Sequence, residues 1–191
     1  MSDGPFTNFT LGSRWKRFAE AAENEATHIT QRCALASDAI LREILTEDNQ
    51  ALLIDLVAYA QRRQLDIDPR SRVVSIFESH SMTPFADILM KHVLVLLSDQ
   101  SSMEFTIAQA IEEAVSDQIK IAKSRIEEEC IRAREHGSMH ADQFERTTAQ
   151  IKATFDVLDK DHICRSVQGC NKNAFKEATV KQADENDGPY L

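Results

Sequence analysis

The sequence predicts an all-α fold, a helical bundle with a long antiparallel helical hairpin. Glycine and proline are scarce, with five and four copies among 191 residues, and a run free of both extends from Phe85 to His136. Apolar residues recur at intervals of three and four along most of the chain, the spacing of one face of an α-helix. Because glycine and proline interrupt helices, their scarcity favours helices throughout.

The predicted organisation has four ranges along the chain. Residues 1–12 are an extended N-terminal lead-in, 13–100 a helical core, 101–168 the long helical hairpin, and 169–191 a polar, disordered tail. In the core, Ser13 is the expected N-cap of a long first helix, or of two collinear ones. Its apolar stripe consists of Phe18, Ala22, Ala26, Ile29, Cys33, Ala36, Ile40 and Ile44.

The remaining core helices are marked by their ends and their apolar faces. Residues 50–64 are apolar on nearly every side, which predicts a central, buried helix. Two further helices each follow a capping residue and a proline, Asp68-Pro69 and Thr83-Pro84. Residues 72–79 have a strand-like composition, but no partner strand exists, so we expect a short helix.

The hairpin is predicted on either side of Gly137. Ser102 caps its first helix, and Ser138 caps a last helix that runs to about Val167. The apolar stripe of the first helix has a period of about eleven residues per three turns, which suits a nearly straight α-helix. At about 1.5 Å per residue this helix spans about 50 Å. A compact domain of this size is about 35 Å wide, so this helix either projects or packs beside the N-terminal helix. The two stripes are Ala108, Ile111, Val115, Ile119, Ala122, Ile126, Cys130 and Ala133, and then Phe144, Thr148, Ile151, Phe155 and Leu158.

Composition restricts the partners and the compartment. The formal charge of −9 opposes nonspecific binding to nucleic acid or anionic membrane and favours a basic partner surface. The longest apolar stretch, residues 51–60, is interrupted by Asp55 and has about half the length of a membrane span. Without the pattern of a secretory leader, we expect a cytoplasmic protein whose cysteines are reduced.

No motif in the sequence predicts catalysis or a cofactor. Glycine-rich phosphate loops and nucleophile motifs are absent from the sequence, so we predict no catalytic residue, no cofactor and no metal, and we favour a protein that is not an enzyme. One alternative is a carboxylate and histidine metal centre in the bundle. Its ligands would be Glu25 and His28 on the first helix with Asp159 and His162 on the last, because residues three apart share a helix face.

Two charged stretches are candidate partner-binding surfaces. The first is a basic and aromatic cluster at the start of the first helix, with Arg14, Trp15, Arg17 and Phe18. The second is the acidic face of the long helix, with Glu113, Asp117, Glu127 and Glu128. A solvated face with ion pairs four residues apart is the alternative interpretation of the second.

These observations predict a non-enzymatic protein–protein interaction or regulatory module that assembles through its long helices, with a partner protein or as a homo-oligomer. A further alternative is a regulator associated with nucleic acid through Arg14, Lys16, Arg17, Arg62 and Arg63. The net charge makes that alternative the weaker one. A helix-turn-helix in residues 70–97 would also lack basic residues at the start of its second helix.

Overall fold

A computed structural model describes residues 7–62, 68–98 and 102–169 of the chain. These residues form eight helices and no strand, which confirms the all-α prediction. The helices are α1 (Thr7–Ala34), α2 (Ala36–Ile44), α3 (Glu47–Gln61), α4 (Pro69–Glu78), α5 (Pro84–Leu96), α6 (Met103–Glu135), α7 (Ala141–Asp156) and α8 (160–169).

The first helix begins earlier than its predicted cap. α1 starts at Thr7, so residues 7–12 are helical and not extended, while residues 1–6 lie outside the described ranges. A single glycine costs a helix only about 1 kcal/mol, so Gly12 does not stop it. A turn at Leu35 then separates α1 from α2, and the predicted stripe is buried across both helices at Ile29, Cys33, Ala36, Ile40 and Ile44.

Side-chain caps begin α3, α4 and α5. The side chains of Thr46, Asp68 and Thr83 each accept a hydrogen bond from the backbone N–H three residues later, at 3.3, 3.2 and 3.1 Å. Hydrogen bonds from Ser71 also lower the pKa of the Asp68 carboxyl. The predicted caps at Asp68 and Thr83 are confirmed, and residues 69–78 are helical as expected. α3 starts three residues before its predicted beginning because Thr46 caps it.

The long helix ends as the sequence predicts. Gly137 has a positive φ of 70°, and the backbone N–H groups of Gly137 and Ser138 bond to the carbonyls of Arg134 and Ala133 at 3.1 and 3.0 Å. This pair of bonds is a Schellman motif, which satisfies carbonyls at a helix end and favours glycine in the left-handed position. At the other end of α6, the Ser102 hydroxyl accepts from the N–H of Phe105 at 3.3 Å.

The predicted last helix is two helices. α7 starts at Ala141, after His140 and not after Ser138, and it ends at Asp156. Asp159 then starts α8, because its carboxylate accepts the backbone N–H of His162 at 2.8 Å. A local side-chain bond of this kind competes with continuation of the preceding helix. The predicted tail begins at 169, and its residues 170–191 lie outside the described ranges.

The chain divides into two compact units. Unit 1 combines Met1–Ser37 with Lys120–Leu158, and unit 2 combines Asp38–Ile119 with Asp159–Leu191. Each unit therefore draws on both of the predicted ranges 13–100 and 101–168, and α6 contributes to both. In unit 1, α1 packs against α7; in unit 2, α3, α4 and α5 pack on one another. None of the helices within the described ranges has the length and apolar character that a bilayer crossing requires.

Candidate interaction surface

An apolar cavity of about 220 Å³ lies in unit 2 and is lined by residues of α3, α6 and α8. Three polar side chains, Gln61, Glu104 and Gln168, belong to its lining. Small-molecule sites usually enclose about 300–1,000 Å³, so this cavity is better matched to one large side chain. Its apolar walls consist of Val57, Ala60, Ile107, Ala108 and Ile111.

Beside this cavity, α6 exposes a large aromatic side chain. Phe105 is 58% exposed, although it is next to Glu104 and three residues before Ala108, both of which line the cavity. Glu112 is also exposed and follows Phe105 by seven residues, which places the two on one face of the helix. No ion pair of Glu104 or Glu112 occurs among the described residues. An aromatic side chain with two carboxylates therefore faces solvent next to an apolar cavity.

Two of the predicted docking residues, Glu113 and Asp117, contact a histidine of α5. Nδ1 of His92 is 2.9 Å from Glu113 Oε2, and Nε2 is 2.8 Å from Asp117 Oδ2. Gln109 donates to the other Glu113 oxygen at 3.1 Å. With a carboxylate at each ring nitrogen, the imidazole is fixed in its plane and ties α5 to α6. Glu113 and Asp117 thus have partners within unit 2.

The other two predicted docking residues, Glu127 and Glu128, form ion pairs along their own helix. Lys123 Nζ is 3.9 Å from a Glu127 oxygen, and Arg132 is 3.7 Å from Glu128. Both pairs join residues four apart on the surface of α6, where such pairs contribute about 0.3–0.5 kcal/mol. This arrangement is the solvated face with ion pairs that the sequence offered as the alternative.

The basic and aromatic cluster at the start of the chain lies on α1. The backbone of Arg14, Trp15, Lys16 and Phe18 is helical, and their side chains lie outside the described part of the structure. Arg17 is exposed. Its partner-binding role stays a prediction from the sequence.

The four candidate metal ligands are divided between the two units. Glu25 and His28 are exposed on α1 of unit 1, while Asp159 and His162 belong to unit 2. Asp159 accepts the backbone N–H of His162 and lies 3.8 Å from Arg165, so its carboxylate caps a helix and pairs with a cation. Across the described ranges, no three His, Cys, Asp or Glu side chains converge in a way that could hold a metal ion.

One of the predicted nucleic-acid contacts, Arg62, lines a polar cavity of about 350 Å³ between α3 and α4. Arg72, Ser75 and Ser79 line it with Arg62, and so does Asp55, whose carboxylate is 2.8 Å from Nε2 of His80. Arg63, which the same hypothesis named, lies outside the described ranges. Two arginines therefore line the cavity, together with a carboxylate that is paired with a histidine.

The sequence pattern placed Glu112 on the acidic face of the long helix, but it did not indicate Glu104 and Phe105, because it placed the buried face of α6 incorrectly at the start of the helix. The predicted stripe continues through Ala108 and Ile119, which are only half-buried, and extending it back by three residues would bury Phe105. The buried residues of this stretch include Thr106, Ile107, Ala110, Ala114 and Gln118. Because Thr106 and Gln118 are polar, the spacing of apolar residues does not identify this face as the buried one.

We define the α6 surface as the apolar cavity together with Glu104, Phe105 and Glu112. Its chemistry suits a ligand that combines an apolar group for the cavity with positive charge for the two carboxylates. Comparison of the chain with protein-family models, with curated proteins and with solved structures found no match.

Proposed function

We propose that this chain is a non-enzymatic helical interaction module whose α6 surface binds a basic, amphipathic helix of a partner protein. The observation that carries the proposal is the exposure of Phe105 beside an apolar cavity that matches one side chain in size. Interface energy concentrates where a buried anchor fills a pocket, with aromatic residues prominent among the contacts. The module would act by holding a partner and would need no catalytic group.

The charge and shape of the α6 surface support a helical partner. A helix presents apolar side chains three and four residues apart, so one can enter the cavity while the next covers Phe105. Lysine or arginine on the flanks of that helix would face Glu104 and Glu112, which have no ion pair in the described structure. The net charge of −9 would speed the approach of such a partner at low salt.

The proposed assembly through long helices also involves unit 1. We propose that the second half of α6 and α7 form an antiparallel coiled-coil hairpin, with α1 packed on α7. One contact supports it, Cys130 Sγ with Thr148 Oγ1 at 3.9 Å. Residues 130 and 148 lie on opposite sides of the Gly137 turn, as antiparallel pairing requires.

The test uses a fluorescent synthetic peptide that forms an amphipathic helix with leucine on one face and lysine on the other. We expect saturable binding that weakens with salt, measured by fluorescence anisotropy. Phe105→Ser, Ala108→Leu, which fills the cavity, and Glu112→Lys should each weaken it by about tenfold or more, the loss typical of a central interface residue. A peptide with glutamate in place of lysine should not bind.

Matched variants exclude general effects of charge and hydrophobicity. Val157→Ser removes an apolar side chain that is 81% exposed in unit 1, and Glu145→Lys reverses an exposed charge on α7. Both should bind the lysine peptide like the unaltered chain. Equal losses in the control and the α6 variants would reject the surface, and so would a lack of binding. A dimer in analytical ultracentrifugation that Phe105→Ser abolishes would assign the surface to a second copy instead.

A further inference from the structure

The polar cavity of about 350 Å³ between α3 and α4 lies within unit 2. Each of its two walls is one face of a helix, because the residues that line it follow one another at intervals of three and four. The α6 surface uses other residues of α3, so the two sites share none. We call this cavity the arginine cavity; its polar lining consists of Asp55, Tyr59 and Arg62 on one wall and Arg72, Ser75 and Ser79 on the other.

The register of the two helices places Arg62 and Arg72 at the same end of the arginine cavity. Asp55 Oδ2 is 2.8 Å from Nε2 of His80, just after α4, and residues 63–68 connect Arg62 to the start of α4. The two helices therefore run antiparallel. Arg62 follows Asp55 by seven residues and Arg72 precedes His80 by eight, so each arginine lies about 10–12 Å along its helix from that contact. Both arginines thus line the end opposite Asp55.

This end of the cavity carries positive charge. Arg62 and Arg72 are both exposed, and neither forms an ion pair or a side-chain hydrogen bond with any residue that the structure describes. The Ser75 hydroxyl, one turn after Arg72, makes no hydrogen bond with those residues either. At the other end, His80 contacts the Asp55 carboxylate. The cavity therefore has N–H and O–H donors at one end and a carboxylate acceptor at the other.

We propose that the arginine cavity binds a small phosphate monoester that carries hydroxyl groups, as a sugar phosphate does. Arg62 and Arg72 donate to the phosphate oxygens, because the planar N–H groups of a guanidinium match the geometry of phosphate. The Ser75 hydroxyl donates to a third phosphate oxygen. The volume of the cavity falls within the range of about 300–1,000 Å³ that is usual for small-molecule sites.

The rest of the cavity suits the rest of such a ligand. The half-buried Tyr59 lies between the two ends of the cavity, where its ring packs against the carbon skeleton. Oδ1 of Asp55, the oxygen opposite the one that His80 contacts, accepts a hydrogen bond from a hydroxyl group of the ligand. A ligand with only a phosphate or only hydroxyl groups would use one end of the cavity. The pair of ends therefore selects for both groups in one molecule.

The test is isothermal titration calorimetry of the full chain with glucose 6-phosphate at low salt. We expect one saturable site per chain, with glucose and inorganic phosphate each weaker by about tenfold or more because each uses one end of the cavity. Arg62→Gln and Arg72→Gln should each weaken binding by about tenfold or more, the effect of losing a hydrogen bond to a charged group. Asp55→Ala should weaken the binding of glucose 6-phosphate but not that of inorganic phosphate.

A matched variant separates the site from the general effect of charge. Arg70 is exposed at the start of α4 and does not line the arginine cavity, so Arg70→Gln removes the same charge from the same helix. It should bind glucose 6-phosphate like the unaltered chain, and circular dichroism should show all variants folded. Equal losses in Arg70→Gln and Arg72→Gln would overturn the proposal. So would a lack of binding, or binding of inorganic phosphate as tight as that of glucose 6-phosphate. Tighter binding of a single-stranded RNA oligonucleotide would assign the two arginines to nucleic acid instead.

Discussion

At the scale of single residues, two polar side chains connect different helices. His92 joins α5 to α6 through Glu113 and Asp117, and Asn49 joins the end of α2 to the starts of α3 and α5. The Asn49 side chain is 1% exposed. Its amide nitrogen donates to the carbonyls of Ile44 at 3.0 Å and Glu43 at 3.4 Å, while its oxygen accepts the Thr83 hydroxyl. Each polar atom of the side chain thus has a partner.

Replacement of Asn49 by leucine should destabilise the chain strongly. The apolar side chain leaves the Ile44 carbonyl and the Thr83 hydroxyl without their partner in a buried place, which costs about 2–4 kcal/mol. Urea denaturation followed by circular dichroism measures the loss. Gln50→Leu is the matched control, since Gln50 is half-buried and makes one bond, to the Leu45 carbonyl at 2.9 Å. Equal losses in the two variants would contradict the role given to Asn49.

At the scale of elements, the end of α6 depends on one backbone conformation. Gly137 has a φ of 70°, and a Cβ atom placed there would meet no atom within 4 Å. Any cost of a side chain at this position therefore comes from the backbone and not from a clash. Gly169 provides the contrast, because it lies in α8 without a positive φ and its Cβ position is equally open.

Gly137→Ala should lower the free energy of unfolding by about 1–2 kcal/mol, the cost of a left-handed alanine. Gly169→Ala should leave it unchanged or raise it by up to about 1 kcal/mol, because alanine is the better helix former. Thermal unfolding of both variants under identical conditions provides the comparison. Similar effects of the two changes would mean that the conformation of Gly137 is not what ends α6.

At the scale of the whole molecule, each unit has its own apolar core. Ile151 of α7 is fully buried in unit 1, and Leu53 of α3 is fully buried in unit 2. The division predicts that damage to one core loosens that unit first. α6 contributes residues to both cores, so its amides report on both units.

Ile151→Ala and Leu53→Ala should each cost about 2–5 kcal/mol, the usual loss for a large-to-small change in a core. In native-state hydrogen exchange, Ile151→Ala should reduce the protection of amides in α1 and α7. Leu53→Ala should reduce the protection of amides in α3, α4 and α5. If either variant lowers protection evenly across all of these helices, the chain unfolds as one cooperative unit.

Local signals in the sequence were enough to predict the helical character of the chain and several helix ends. The caps at Asp68, Thr83 and Ser102 and the stop at Gly137 all occur where the sequence predicts them. Each signal acts through bonds between residues three to five apart, so it does not depend on the rest of the fold. The predicted last helix is also divided by a local cap, Asp159. The sequence did not predict this cap, because the apolar residues on either side of it keep the spacing of one continuous helix.

The partners of charged residues could not be predicted in the same way. The acidic pattern along α6 predicts that Glu113 and Asp117 face solvent. Their partner, His92, belongs to α5 and lies 25 residues before Asp117, so the pattern along α6 does not reveal it. The apolar pattern along α6 assigns Phe105 neither to the core nor to the surface. Its exposure follows from which neighbours pack against α6, and periodicity alone does not specify them.

The sequence by itself determined that this protein is helical, and it determined where several helices start or stop, because those properties depend on backbone bonds and caps a few residues apart. Only the tertiary structure decided which face of each helix is buried, which side chains pair across helices, and that Phe105 stands exposed beside a cavity. Burial and pairing depend on groups brought together from distant parts of the chain, and their separation in the sequence leaves no local pattern to read.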